Sequence, residues 1–319
     1  MIPQFHAADL DDDGATRAEL RRACAEVGAF QLRLAADAAA RLQTTLAHAR
    51  AFFALPAADK RALDIARSPH HRGYSEMHNA RDFREQLHLG TERAPQPSSA
   101  PEWTRLAGPN QWPAALGAHF ATAILAHQAE MAALGRRLLA ALALPSDDGD
   151  GYLVTKLINY LPQPAGDAAR SGVAAHVDYS LVTLLLQDDV GGLELQTRDG
   201  VWRAVAPRPD TLVVNLGELA EAASGGLLRA TPHRVTNGAR DRSRLSIPVF
   251  VNPPLEASVA VPAARAPARP ADDPHVHRVL PDGVIRSFHY GAAEWQRKGR
   301  NIWCDHCCKN VSRSRDPAP

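Results

Sequence analysis

The stretch AAHVDYSLVTLLLQDDVGGLELQ, residues 174–196, decides how this chain folds. It holds a His-x-Asp pair, a continuous apolar run at Leu181–Gln187 and an alternating run at Leu193–Thr197. Short apolar or alternating runs bounded by turn residues are strand signals. Between the two runs lies Asp189–Gly192, where Gly191 and Gly192 permit the positive φ of a tight turn. Just downstream, Asp199-Gly200 separates LELQT from VWRAV, the signature of a hairpin. The pattern continues in both directions. Leu153–Tyr160, Ala174–Asp178, Val201–Val205, Thr211–Leu216, Pro232–Thr236 and Leu245–Val251 read as further strands, with turns at Pro162–Gly166 and Asn237–Arg242. About eight short strands at roughly 8–12-residue spacing predict a sandwich, a barrel or a double-sheet jelly roll.

The preceding sequence has a different period. Ala15–Val27 places Leu20, Ala23 and Val27 on one helical face and stops at Gly28. Ala29–Leu34 alternates like a strand, Asp37–Leu55 is an Ala-rich helix ended by Pro56, and Ala57–Ala66 is a second short helix. Ser68–Met77 reads as a loop, and Pro95–Pro101 as a separator. Pro113–Leu144 then repeats Leu116, Phe120, Ile124, Met131, Leu134, Leu138 and Leu142 at helical spacing, before the breaker Ser146–Gly151. Helices first and strands later predict an α+β chain rather than a parallel α/β sheet. The expected organisation is a helical region over residues 1–105 packing on the core, a long helix and catalytic β core over 106–258, and a connector with a C-terminal helix and tail over 259–319. In the last part, Val259–Pro274 reads as irregular and His289–Trp303 as a helix carrying Trp295 and Trp303. Neither an internal repeat nor a Gly-rich phosphate loop is visible.

Composition excludes several partners. The chain has 36 basic and 35 acidic side chains in 319 residues, so no basic footprint for nucleic acid or a membrane surface is present. The first residues lack the apolar core of an export signal, and no apolar run reaches the length of a membrane span. Four Cys exclude a disulfide-stapled scaffold and fit a reducing cytosol, so a cytoplasmic location is expected. Three of them cluster in Cys304-Asp305-His306-Cys307-Cys308, too crowded for four ligands to close round one zinc ion.

Among the 14 His, two stand where a metal site needs them. His176 and Asp178 are two apart on an expected strand, so their side chains leave the same face. His233 lies on another expected strand, which a jelly roll can bring alongside. Two imidazoles and one carboxylate on one side of an ion leave its other positions open, the facial arrangement of non-haem Fe(II) oxygenases. A His-x-Asp pair alone reads more readily as a surface or hydrogen-bonded pair than as a metal site.

The flanking motifs add to this. AAHVDYSLVTLLLQDDVGGLELQ, Trp202, VVNLGEL, ASGGLLRATPHRV and RSRLSIPVFVNPP follow one another in an order that closely resembles the isopenicillin-N-synthase-like branch of the Fe(II)/2-oxoglutarate-dependent dioxygenases. RRACAEVGAFQL, AFFALPAADKRAL, RGYSEM and GPNQWP resemble that family's N-terminal region. The resemblance implies a double-stranded β-helix (jelly roll) core with an N-terminal helical region and flanking helices. It implies His176, Asp178 and His233 as iron ligands, with Fe(II), 2-oxoglutarate and O2 as reactants. It implies Arg244 and Ser246 as the anchor of the co-substrate's distal carboxylate. These two share a strand face, and a guanidinium beside a hydroxyl suits a carboxylate.

One segment departs from the family pattern. Ile158-Asn159-Tyr160-Leu161-Pro162 has Leu where many relatives carry Tyr before Pro. Asn159 is the first candidate for a co-substrate contact and Tyr160 the second, and a plain sheet role is open for either. For the substrate, Tyr179 is readable as pocket or core. Tyr74 and Arg84, within the group His70, His71, Arg72, Tyr74, His78, Arg81 and Arg84, are readable as pocket-mouth contacts or as exposed loop residues. Glu218 reads as structural. The implied reaction is oxidation, foremost hydroxylation, of a small molecule's C–H, coupled to conversion of 2-oxoglutarate to succinate and CO2. An amino acid or natural-product intermediate of specialised metabolism is the expected substrate, handled by a monomer or small homo-oligomer. The alternatives are a same-fold oxidase performing desaturation, ring closure or fragmentation, a non-enzymatic binding module, and a zinc hydrolase.

Overall fold

Leu245, Ile247 and Val249 point to one side of their strand and Arg244 and Ser246 to the other, and that alternation organises the molecule. The computed structural model describes the chain except residues 1, 13, 80–81, 146–150, 164–170, 237–240, 261, 263–286 and 299–319. In chain order its elements are β1 (Gln4–His6), α1 (Ala15–Glu26), β2 (Ala29–Arg33), α2 (Ala36–Phe53), α3 (Ala57–Arg61), β3 (Gly73–His78), β4 (Phe83–Gly90) and α4 (Gly117–Leu142). There follow β5 (Tyr152–Tyr160), β6 (Ser171–His176), β7 (Val182–Gln187), β8 (Leu193–Gln196), β9 (Trp202–Ala204), β10 (Thr211–Leu216), α5 (Glu218–Ala223), β11 (His233–Thr236) and β12 (Arg244–Asn252). β13 (Ser258–Ala260), β14 (Ser287–His289) and a helix over residues 290–298, α6, complete the described part.

Eight strands form a large sheet in the order β1-β2-β10-β7-β12-β5-β4-β3, and four form a smaller one, β6-β11-β8-β9. One face of the large sheet carries α1, α2 and α4. Leu245, Ile247 and Val249 pack there with Leu184, Phe52, Phe120, Ile124 and Leu138 in one apolar core. The other face meets the small sheet across Ile158, Tyr160, Leu193, Leu195, Val205, Val213 and Val235. This is the expected jelly roll. Full burial of each such aliphatic side chain stabilises by about 1.5–3 kcal/mol.

The turn chemistry acts as expected. Gly28 takes a φ of 73° between α1 and β2, where a Cβ would fall on the Arg229 carbonyl oxygen, so no other residue fits. The Asp199-Gly200 hairpin joins β8 to β9 with Gln196 opposite Trp202.

The N-terminal segment differs most from expectation. It is not only helical: β1 to β4 supply half of the large sheet. Ser68–Met77 is a loop only as far as Arg72, after which β3 begins, and Phe83–Gly90 is a strand whose apolar alternation is broken by Glu85. Both faces of this ribbon are polar in part, for reasons given below. The second short helix stops at Arg61 and is followed by a 3-10 turn at Ile65–Arg67. The expected Trp303, the thiol cluster at Cys304, Cys307 and Cys308, Arg81 and nearly all of the Val259–Pro274 connector lie outside the described residues.

Candidate metal and co-substrate site

β6 ends on His176 and β11 begins on His233, and the two are direct cross-strand partners. Asp178 is not on a strand: β6 stops two residues earlier, and the chain turns there toward β7. The turn is held by backbone bonds from Glu218 to the Asp178 carbonyl and from Gly217 to the Leu181 carbonyl. Gly217 has to be glycine because a Cβ would fall on the Ser180 carbonyl oxygen. The Asp178 carboxylate is fixed by Thr183 Oγ1 (2.7 Å) and Asn215 Nδ2 (2.8 Å), both donating to Oδ2. Oδ1 is left facing His176 Nε2 and His233 Nε2, each 3.6 Å away.

The imidazoles are held in a matching state. His176 Nδ1 donates to the Ala174 carbonyl (2.9 Å) and His233 Nδ1 to the Thr231 carbonyl (3.1 Å). A carbonyl only accepts, so each Nδ1 carries a proton, and Nε2 is the ring nitrogen turned toward Asp178 and able to offer a lone pair to a metal. Burial, and then the charge of His176, push the His233 pKa down, which favours the neutral ring. Burial alone would raise Asp178, but His233, His176 and the Asn215 hydrogen bond outweigh it and hold the carboxyl well below its usual range. One ligand atom from each of the three residues lies within 4.8 Å of the others. Two imidazoles with Nε2 turned inward and a carboxylate form a donor set for a divalent transition metal.

A second feature faces the same interior from β12. Arg244 is 1% exposed and lies over the Tyr160 ring, 4.8 Å from its centre. Its Nη2 donates to Gln187 Oε1 (3.0 Å), while Nε and Nη1 are buried without a partner. Ser246 Oγ lies 3.5 Å from the Tyr160 hydroxyl. A buried guanidinium with unused N–H groups is costly unless an anion fills the gap, and a carboxylate fits its fork.

The remaining candidates separate cleanly. Tyr160 pairs with Arg244 and shares its face, so the second-ranked residue is the one beside the site. Asn159 points the other way, under the helices, and donates to Glu85 Oε1 (2.8 Å). Tyr74 is there too, donating to Glu85 Oε2 (2.5 Å), so neither Asn159 nor Tyr74 reaches the interior. Arg84 sits opposite Tyr160 on the interior side, with Nη1 bound to Asp82 and the Gly172 carbonyl. Tyr179 lies between Tyr290 (6.4 Å between rings) and the Arg297 guanidinium (5.0 Å), its hydroxyl buried without a partner. His71 meets Trp295 of α6 edge to face. His70 and Arg72 bind the backbone of residues 105 and 106. Thr183, Gln187 and Asn215 were missed, although each is a polar residue at a strand position among apolar ones, which is itself a signal.

Residues 154–253 match the model of the 2OG-Fe(II) oxygenase superfamily, and residues 2–115 match the N-terminal model of the non-haem dioxygenases in morphine synthesis. A 2-oxoglutarate-Fe(II) type oxidoreductase of Aspergillus fumigatus is 31% identical over 266 residues, covering 77% of this chain and 79% of that one. The chain belongs to the 2OG-Fe(II) oxygenase superfamily. It is an oxidoreductase of the dioxygenase type, with Fe(II), 2-oxoglutarate and O2 as its metal and co-substrates. Rice gibberellin 20 oxidase 2 is 32% identical to this oxygenase over 276 residues, covering 81% of this chain and 68% of that one. The solved structure of a 2OG-Fe(II) oxygenase family protein from Caulobacter crescentus superposes with a TM-score of 0.74, at 27% identity, over 94% of this chain and 99% of that one. Among the described residues, no helix is long and apolar enough to cross a membrane.

Proposed function

We propose that His176, Asp178 and His233 hold the Fe(II), that Arg244, Ser246 and Tyr160 bind the distal carboxylate of 2-oxoglutarate, and that the oxygenase hydroxylates a C–H of a small organic molecule. The observation that carries this is the pairing of two unsatisfied features in one interior: three convergent ligand atoms, and a buried guanidinium with two unused donors. When bound, iron with 2-oxoglutarate and O2 supplies the oxidising power, releasing succinate and CO2. The protein's own residues do the positioning. Thr183 and Asn215 engage Oδ2 of Asp178, so that Oδ1 is the oxygen left for metal. The carbonyls of Ala174 and Thr231 keep each imidazole turned with Nε2 inward. Gln187 fixes the guanidinium of Arg244, which orients the co-substrate from its far end.

Placement in the isopenicillin-N-synthase-like branch is supported by the N-terminal match together with the motif order. The gibberellin oxidase relative supports a small-molecule substrate, and the N-terminal match to the dioxygenases in morphine synthesis supports one of specialised metabolism. Residues 106–258 are read as the catalytic unit because all six residues assigned above fall within it, and the location is read as cytoplasmic on the low Cys content. The test is anaerobic addition of Fe(II) and 2-oxoglutarate to the metal-free protein. A weak visible charge-transfer band should form and be absent in His176→Ala and Asp178→Ala. No band at saturation, or an unchanged band in both variants, would overturn the assignment. Succinate formed per product then separates coupled hydroxylation from oxidation that bypasses 2-oxoglutarate.

A further inference from the structure

Among the described residues, no anion pairs with Lys156. It lies on β5 four residues before Tyr160, so its backbone is about 13 Å further along the same interior face. Its ammonium sits over the Phe250 ring, 5.3 Å from the centre. Phe250 is the cross-strand partner of Thr183, which binds Asp178, so this ring lies beside the proposed iron centre. The side chain is partly buried, and no hydrogen bond or ion pair engages it among the described residues. Among the described residues, the charges that act on it are Arg84, Lys298 and Arg297, all repulsive, and Asp178, which the metal would claim. Those three cations have partners: Arg84 has Asp82 (2.7 Å), and Arg297 and Lys298 share Glu294 (2.6 and 3.5 Å). Burial, then these cations, push the Lys156 pKa down to about 7.

Other unpaired polar groups belong to this region. His88, the cross-strand neighbour of Lys156, has a buried Nε2 with no partner. Gln86, next on that face, has a free Oε1, and the Tyr179 hydroxyl is unpaired as well. Buried polar groups left unsatisfied are expensive and are normally completed by a ligand or water. Arg244 already accounts for the co-substrate's distal carboxylate at the other end of the interior.

We propose that Lys156 receives a carboxylate of the substrate, so that this oxygenase acts on an organic acid whose apolar body lies against Phe250 and Tyr179. The inference rests on the metal-centre reading above, which makes the space before Lys156 a substrate site. The test uses the full chain, anaerobic, with Fe(II) and saturating 2-oxoglutarate, so that the Arg244 end is filled. Phenylacetate and 3-phenylpropionate are titrated by calorimetry against phenylacetamide and 3-phenylpropionamide. The acids should bind at least tenfold more tightly than their amides. The preference should vanish in Lys156→Met and persist in Lys156→Arg, with all three proteins showing the same thermal unfolding cooperativity. Equal binding of acids and amides, no binding of either acid, or an acid preference that survives in Lys156→Met would overturn the proposal. The visible band of the iron–co-substrate complex, recorded in the same samples, reports separately on the metal-centre reading. A Lys156-dependent preference without a band would sink that reading and leave the lysine's role standing.

Discussion

Two lysines flank the β4–β5 ribbon and are treated in opposite ways. Lys60 lies on the helix side, 8% exposed, with its ammonium 2.6 Å from Glu85 Oε2 and 3.1 Å from the Phe53 carbonyl. Glu85 also accepts from Tyr74 and Asn159, so every charge in that cluster is answered. Lys156, on the interior side, has among the described residues only the face of a phenyl ring. The difference separates structure from function: a buried charge that is already paired holds the fold, whereas one left open is available to a ligand. Arg244, with two of its donors idle, falls in the second group.

The comparison is most exposed to Lys60→Met. Removing that ammonium leaves Glu85 buried beside two neutral donors, and loss of one partner of a buried pair costs about 3–5 kcal/mol. Thermal or denaturant unfolding should show a destabilisation of that size, and a neutral or stabilising result would erase the distinction.

Lys156→Met should do the opposite and raise the stability of the ligand-free protein. Here the sign follows from the depressed pKa, about 7 when folded against an ordinary 10.5. Between those values the unfolded chain binds the proton and the folded one does not, so wild-type stability rises with pH across that window. Below pH 7 both states are protonated and the burial penalty is full. The advantage of Lys156→Met should therefore be largest below pH 7, on the order of a few kcal/mol, and shrink as pH climbs toward 10. A difference that is flat with pH, measured by urea denaturation of both proteins, would place Lys156 in water.

The smallest effects sharpen the two faces. Ser246→Ala should weaken 2-oxoglutarate binding by about 0.5–1.5 kcal/mol, the worth of one hydrogen bond. Tyr74→Phe should leave that affinity unchanged, because its hydroxyl serves Glu85 behind the sheet. Titration of the visible band reads both, and a weakened Tyr74→Phe would contradict the placement of that cluster.

Much of this was legible in the residues. The strands from Tyr152 to Asn252 announce themselves because most of them bury apolar side chains between turn residues, and their extents match the expected runs to within a few positions. His176, Asp178 and His233 stand out by residue type and spacing, and the family resemblance implies Arg244 and Ser246 beside them. β3 and β4 were not legible, and the reason is chemical. Their helix-side face holds Tyr74 and Glu85 against Lys60, and their interior face holds Arg84, Gln86 and His88, so polar residues occupy both sides and mask the alternation.

The sequence by itself determined the period of each segment, the positions of its breakers, and the residue types able to bind a metal and a carboxylate. Alternation also required that Asn159 and Tyr160 face opposite ways. Which of them faces the site was decided only by tertiary structure. Pairing of β5 with β12 sets Tyr160 opposite Arg244, and the helices cover the other face and enclose Asn159 with Glu85. The same layering gave Lys60 a partner and, among the described residues, gave Lys156 none. Local sequence specifies that a strand has two faces, but only the elements packed against it assign one to the core and the other to the ligand.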